Sequence, residues 1–260
     1  MCGRYYRQSD KQKIAETFHV TNWAPDVHLA PDYNIAPSTL QPIIRSSLED
    51  GEREVVLMRW GLIPAKVADP DAFKIFSTTN ARAETILEKP IWKGPFQRSR
   101  CLVLLDGFYE WLQRPSLPQP PPIEPGERGL FGDIAPPAKA AAKPKPGSRP
   151  VYKFEMLDGS PYALAGLFSE WRPRKGTSHS PLDTFSIVTT EANELTYPIH
   201  DRMPVILHPR DYDRWLNEYD EARPPLDLLR PFESEGMRMT PANRLVGNVR
   251  NNGPEMLNSA

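Results

Sequence analysis

Along most of the chain, apolar and polar residues alternate with a period of two, in short runs closed by Gly, Pro, Asn or Asp. That rhythm predicts strands. It runs through "REVVLMRW", "RCLVLLDGFYEW", "VYKFEML", "YALAGLFSEW", "TFSIVTT" and "RMPVIL", and through "NIAPSTLQPII", where Pro37 interrupts it. Helical spacing is rarer. After "QSD" as a cap, "KQKIAETF" places Ile14, Ala15 and Phe18 on one face. "AETILEKPIWKG" reads as a short helix broken at Pro90, and "DYDRWLNE" as an amphipathic helix. Many strands with few helices predict an α+β fold, a single β-rich domain over residues 2–260 with a curled, barrel-like mixed sheet and a few peripheral helices.

The most apolar run, "RCLVLLDGFYEW", reads as one strand whose alternation puts Leu104, Phe108 and Glu110 on one side. A carboxylate at the end of such a strand costs desolvation unless it is paired or used in chemistry. Trp60, Trp92, Trp111, Trp171 and Trp215 are assigned to packing, and Cys101 to a small buried hydrophobe. Residues 113–150 break the pattern with a Pro-, Ala- and Lys-rich tract that has no hydrophobic period. It reads as a flexible surface insertion between two strands, or as a docking segment for a partner.

Composition narrows the class. The chain has 260 residues, 39% of them apolar, enough for a proper core. No apolar run reaches the ~20 residues of a membrane helix, and no secretory signal pattern opens the chain. A protein of the cytoplasm or nucleus is expected, with no membrane partner. Two cysteines, Cys2 and Cys101, allow neither a disulfide framework nor a cysteine zinc site; no metal or cofactor is expected. With 32 basic and 33 acidic residues the chain is not a general duplex-coating protein, although a narrow cationic groove for one strand needs only a few arginines.

The opening "MCGRYYRQ" carries the candidate chemistry. If Met1 is removed, Cys2 bears an amine and a thiol two carbons apart, with ordinary pKa values of ~8 and ~8.5. The amine can condense with an aldehyde to an imine, and the sulfur can then close a five-membered thiazolidine on the same carbon. An internal cysteine cannot do this.

"MCGRY", "NIAP", "WGLIP", "TTNARAET", "DGFYEW", "IHDRMPVIL" and "VGNVRNNG" follow one another in that order. Together they resemble the SRAP family of SOS-response-associated peptidase-like proteins, over nearly the whole chain except the proline-rich tract. The resemblance implies a monomeric protein that binds single-stranded DNA and captures abasic sites covalently in the DNA damage response, with lyase and self-processing peptidase activities attached. It implies Cys2 as the crosslinking nucleophile with Asn80, Glu110 and His200 around it, Arg4, Arg82 and Arg202 near the DNA backbone, and Pro37 and Thr189 as groove contacts.

Each role has a physical content and a plainer alternative. Glu110, desolvated on its strand, suits proton relay, or is a buried acid paired with an arginine. His200 is expected to titrate near neutrality and to protonate the sugar ring oxygen or assist reversal, or is a turn histidine. Asn80 can hold a sugar oxygen and Arg82 a phosphate from the same side of an extended "NAR", or both cap the helix that follows. After "WGLIP" the family often carries aromatic residues that wedge against bases; here Lys66 and Val67 occupy that stretch. The rival functions are a thiol autopeptidase or protease, an N-terminal-nucleophile glutamine amidotransferase, and a binding module without chemistry.

Overall fold

The computed structural model describes residues 2–47, 49–113, 149–173, 179–217 and 224–259, so nearly all of the Pro-rich tract lies outside the described residues. In chain order the strands are β1 (Tyr5–Arg7), β2 (Asn22–Trp23), β3 (Asp32–Ile35), β4 (Leu40–Ser46), β5 (Arg53–Trp60), β6 (Asn80–Arg82), β7 (Arg100–Leu105), β8 (Gly107–Trp111), β9 (Val151–Met156), β10 (Tyr162–Trp171), β11 (Leu182–Glu191), β12 (Arg202–Pro204), β13 (Ile206–Leu207) and β14 (Met237–Pro241). The helices are α1 (Lys11–Phe18), α2 (Pro90–Arg98) and α3 (Tyr212–Asn217).

The larger sheet runs β12-β11-β10-β7-β4-β5-β2, and β5 meets β11 again in parallel, at Thr184↔Arg59 and Phe185↔Trp60. That second pairing closes β11, β10, β7, β4 and β5 into a barrel, which removes the edges an open sheet would expose. The smaller sheet, β14-β9-β8-β1-β3, packs against it. The period of two sorts the side chains. On β7, Cys101, Val103 and Leu105 enter a cluster shared with Tyr5, Trp60, Phe108 and Phe154. Leu102 and Leu104 on the opposite face pack with α1, α2 and α3 through Phe18, Phe96 and Trp215.

Two expectations are corrected. "RCLVLLDGFYEW" is two strands: Asp106 breaks it, and its carboxylate accepts from the Gln8 and Ser9 backbone N–H groups at 2.7 and 2.9 Å. The break sends Leu104 to a different core from Phe108. Likewise, Pro90 begins a helix and does not break one. It occupies the first turn of α2, where its missing N–H has no intrahelical partner to lose, while Ala83–Thr85 forms only a single 3-10 turn. α1 matches its expected span, with Asp10 accepting from the Lys13 N–H at 2.8 Å and Ile14 and Phe18 buried.

Helix ends are closed from within. The buried Arg100 guanidinium donates to the carbonyls of Phe96 in α2, at 2.6 Å, and of Trp215 in α3, at 2.5 Å. A cation at two carbonyl-rich helix ends satisfies acceptors that would otherwise be desolvated unpaired. At Gly166 of β10 the barrel wall has no room: a Cβ there would lie 2.7 Å from Cys101 Sγ and 2.9 Å from Val103 Cγ2. Gly166→Ala should therefore destabilise the protein by ~1–3 kcal/mol in urea unfolding. Cys101→Ala in the same chain should restore part of the loss; an unchanged midpoint for the single variant would show that the wall yields freely.

Candidate functional site

The site is built on the amino-terminal segment. β1 lies between β3 and β8, with Tyr5 opposite Ile35 on one side and Phe108 on the other. The Tyr109 N–H donates to the Arg4 carbonyl at 2.9 Å, so the pairing continues toward the chain start. Cys2 is carried inward and has 0% of its surface exposed, in the cluster that holds Trp60, Ile187, Ile199 and Met203.

Three other elements bring the remaining groups to this place. β8 supplies Glu110, 3% exposed. The Gln113 N–H at the end of that strand donates to the Ile199 carbonyl at 2.9 Å, which fastens the turn before His200 against β8. β6 supplies Asn80 through its parallel pairing with β11, where Asn80 stands beside Ile187 of the Cys2 cluster. The Asn80 amide donates to Thr79 Oγ1 at 3.2 Å, while its buried Oδ1 accepts no hydrogen bond. An unsatisfied buried acceptor is costly and points to a missing donor.

The electrostatics of Cys2, Glu110 and His200 are linked. Positive charge at the amino terminus acts on all three, and the Glu110 carboxylate acts on Cys2. Burial pushes Glu110 up to about 7, against the opposing pull of the amino-terminal charge. Burial, with the Glu110 charge second, pushes the Cys2 thiol far up, so it is protonated at neutral pH despite a hydrogen bond from the Arg4 backbone. Burial first and the amino-terminal charge next lower His200 to about 4. The expectation of a His200 titrating near neutrality is thus corrected: the ring is neutral. Its Nδ1 lies 2.9 Å from both the Arg202 N–H and the Asp201 carboxylate. The two neighbours make opposite demands on Nδ1, a lone pair for the Arg202 N–H and a proton for the Asp201 carboxylate, so the tautomer of the neutral ring follows whichever of them it engages.

The expected DNA contacts divide. Arg82 is exposed on β6, on the same side of the strand as Asn80. Arg4 is tethered, donating to Asn34 Oδ1 and the Val246 carbonyl, both at 2.6 Å. Arg202 forms a two-pronged ion pair with Glu84 and donates to the Thr189 carbonyl at 2.7 Å. Thr189 is fully buried, and its hydroxyl accepts from Arg202, so it acts through that arginine and presents nothing to a groove. Pro37 is half-buried ahead of Ser38, whose φ of 74° turns the chain into β4.

Two aromatic residues escaped the sequence reading. Phe76, four residues before Asn80, is 76% exposed, and Tyr197, three before His200, is 69% exposed. The signal for Phe76 was its place in "KIFSTTN", a single aromatic in a polar stretch leading into the Asn80 strand. Among the described residues Asp69, Asp71 and His179 bring one ligating atom each within 4.8 Å of one another, and this surface group by itself specifies no ion.

The chain has clear relatives. The abasic site processing protein YoqW of Bacillus subtilis (strain 168) is 32% identical over 261 residues, covering 100% of both chains. The abasic site processing protein HMCES of Gallus gallus is 34% identical over 245 residues, 90% of this chain and 68% of that one. A crystal structure of a protein from Bacteroides thetaiotaomicron superposes with a TM-score of 0.75 at 26% identity over the whole of both chains. One from Bordetella bronchiseptica, at 21% identity and a TM-score of 0.66, covers 93% of this chain and 100% of its own and shares the fold. The description of the SOS response associated peptidase (SRAP) family matches residues 1–249, and with the whole-length likeness to YoqW this establishes that the chain belongs to the SRAP family.

Proposed function

We propose that the protein captures abasic sites in single-stranded DNA by covalent bonding to Cys2 once Met1 is removed. The observation that carries this reading is the burial of Cys2 at 0% exposure in electrostatic contact with the likewise buried Glu110, whose carboxyl is pushed up to about 7 by loss of water. The names of the relatives, abasic site processing proteins, agree with it.

The chemistry starts from the amine, since the thiol is held protonated. The free amine of Cys2 adds to the aldehyde carbon of the ring-opened sugar to give a carbinolamine. Glu110, protonated on a substantial fraction of molecules at neutral pH, gives its proton to the departing hydroxyl; water leaves and an iminium remains. The Cys2 thiol then passes its proton to the Glu110 carboxylate as Sγ bonds to the iminium carbon. One water is lost, Glu110 is protonated again, and the product is a thiazolidine. Neutral His200 steadies the sugar by a hydrogen bond from its ring, and Asn80 Oδ1 accepts from a sugar hydroxyl, which supplies its absent donor.

The same iminium permits strand cleavage, because removal of the C2′ proton expels the 3′ phosphate. Removal of Met1 by the protein itself would use the same Cys2 and Glu110. Arg82 takes a phosphate, while Arg202, its side chain 13% exposed and held by Glu84 and Thr189, shapes the edge of the site beside it. Phe76 offers the stacking face that Lys66 and Val67 do not.

Incubated with uracil-containing single strands treated with a uracil glycosylase, the mature protein should form an adduct that survives denaturing electrophoresis. Cys2→Ala, or a tag ahead of Met1, should abolish it; an adduct from either would sink the aminothiol mechanism.

Glu110→Gln should slow adduct formation at least tenfold and remove the fall in rate that wild type shows above pH 7. It should also stabilise the fold at high pH. The folded pKa lies above the ordinary 4.5, so the penalty is absent below that value and complete above about 7. At ~1.4 kcal/mol per pH unit the penalty is about 3 kcal/mol. Melting curves at pH 5 and pH 8 check this: wild type should lose stability between them, and the variant should lose much less.

Phe76→Ala should weaken binding of intact single strands by about tenfold, from a stacking contribution of ~1–3 kcal/mol per base. The adduct rate at saturating DNA should stay the same. Unchanged affinity in fluorescence anisotropy would remove Phe76 from the DNA path.

A further inference from the structure

The loop from Asn243 to Asn252 is held by four asparagine side chains of its own and by a fifth beneath it. Asn243 Oδ1 accepts from the Leu245 N–H at 3.0 Å, and Asn248 Oδ1 from the Arg250 N–H at 3.1 Å. The Asn251 amide donates to the Leu245 carbonyl at 2.8 Å, and Asn252 Oδ1 accepts from the Tyr33 N–H at 2.6 Å. From below, the buried Asn34 donates to the carbonyls of Asn248 and Asn251, at 3.0 and 2.6 Å. A surface loop fixed this thoroughly has already lost the conformational entropy that binding would otherwise cost.

What the loop presents is a pair of cations. Arg244 and Arg250 are exposed, and neither side chain has an ion-pair or hydrogen-bond partner among the described residues. Leu245 and Val249 stand beside them at 53% and 57% exposure. A cavity of about 420 Å³, lined by Val151, Tyr152, Pro241, Ala242 and Arg244, opens next to Arg244. The loop also touches the candidate site: Arg4, two residues from Cys2, donates to the Val246 carbonyl at 2.6 Å.

We propose that this loop is an outer phosphate-binding surface, on which Arg244 and Arg250 hold the backbone of the same single strand beyond the nucleotides that enter the Cys2 pocket. The inference rests on the DNA reading above and extends its footprint. Two rigidly mounted, unpaired guanidinium groups match the charge and fork geometry of phosphate, and the apolar pair between them suits sugar and base faces. Arg4 links the outer surface to the reacting end, so a strand bound across the loop is directed at Cys2.

The test uses the full-length mature protein and fluorescein-labelled intact oligothymidylates of about 5 and about 20 nucleotides, with binding read by anisotropy over a range of salt concentrations. In the double variant Arg244→Ala/Arg250→Ala, affinity for the long strand should fall about tenfold. The slope of log affinity against log salt should drop by ~1.4, since each phosphate contact on a single strand contributes ~0.7. Affinity for the short strand and the rate of adduct formation at saturating abasic DNA should not change. Lysine at both positions should restore the salt slope.

An unchanged long-strand affinity and slope overturns the proposal, and so does an equal loss on both lengths, which would place the arginines in the inner site. If wild type forms adducts while the variant keeps its salt slope, only the outer surface fails. If wild type binds no single strand at all, the underlying DNA reading fails with it.

Discussion

The position of β1 governs the rest. A short strand at the start of a chain is usually peripheral, yet Tyr5–Arg7 is hydrogen-bonded on both sides, to β3 and to β8. Its alternation places Tyr5 in the cluster between the two sheets and Tyr6 in a separate one with Tyr109 and Met256. Gly107 is part of the same arrangement: a Cβ there would meet the Tyr6 ring at 2.6 Å and the Phe154 carbonyl at 2.8 Å. With β1 locked in that register, the residues ahead of it run into the interior, and Cys2 is buried as a consequence of backbone pairing.

Burial then sets the chemistry. Loss of water pushes every ionisable group toward its neutral form, and here it raises the Cys2 thiol, raises Glu110 and lowers His200 together. In water a cysteine thiol ionises readily near neutrality; in this pocket burial suppresses the thiolate. A carboxyl whose pKa lies near neutrality can both give and take a proton. The fold tolerates a carboxyl group whose ionisation works against it, and a strained local electrostatic arrangement retained in a buried place is characteristic of sites with a task.

Much of the architecture was legible because strand alternation survives in the sequence wherever one face meets the barrel interior and the other meets the helices. Barrel closure was not: the parallel contact of β11 with β5 joins residues far apart in sequence, and no local pattern encodes it. The break at Asp106 was hidden because alternation counts residues and ignores the corner at which Asp106 turns to bind Gln8 and Ser9. At the site, chemistry alone made Cys2 and Glu110 candidates, a second-position thiol that can pair with a freed amine and a carboxylate on an apolar strand, and the family resemblance singled them out. His200, Asn80 and the arginines entered only through family resemblance. Their partners, Asp201, Glu84 and Thr189, decide what they do, and those pairings are made by tertiary geometry.

The arginines show why net charge says little about what this surface binds. The chain is almost neutral overall, with a formal charge of −1. Arg100 closes two helix ends, Arg4 joins the amino-terminal segment to the Val246 loop, and Arg202 is held by Glu84 and Thr189. Each of these cations is committed to the fold before any ligand arrives. Arg82, Arg244 and Arg250 are exposed on backbone that is itself well fixed, on β6 in the first case and on the asparagine-bound loop in the others. A cation mounted this way gives up little entropy when it meets a phosphate, so a few of them outweigh a balanced total. The tethered set fixes the framework around Cys2, and the exposed set leaves its charge open to solvent.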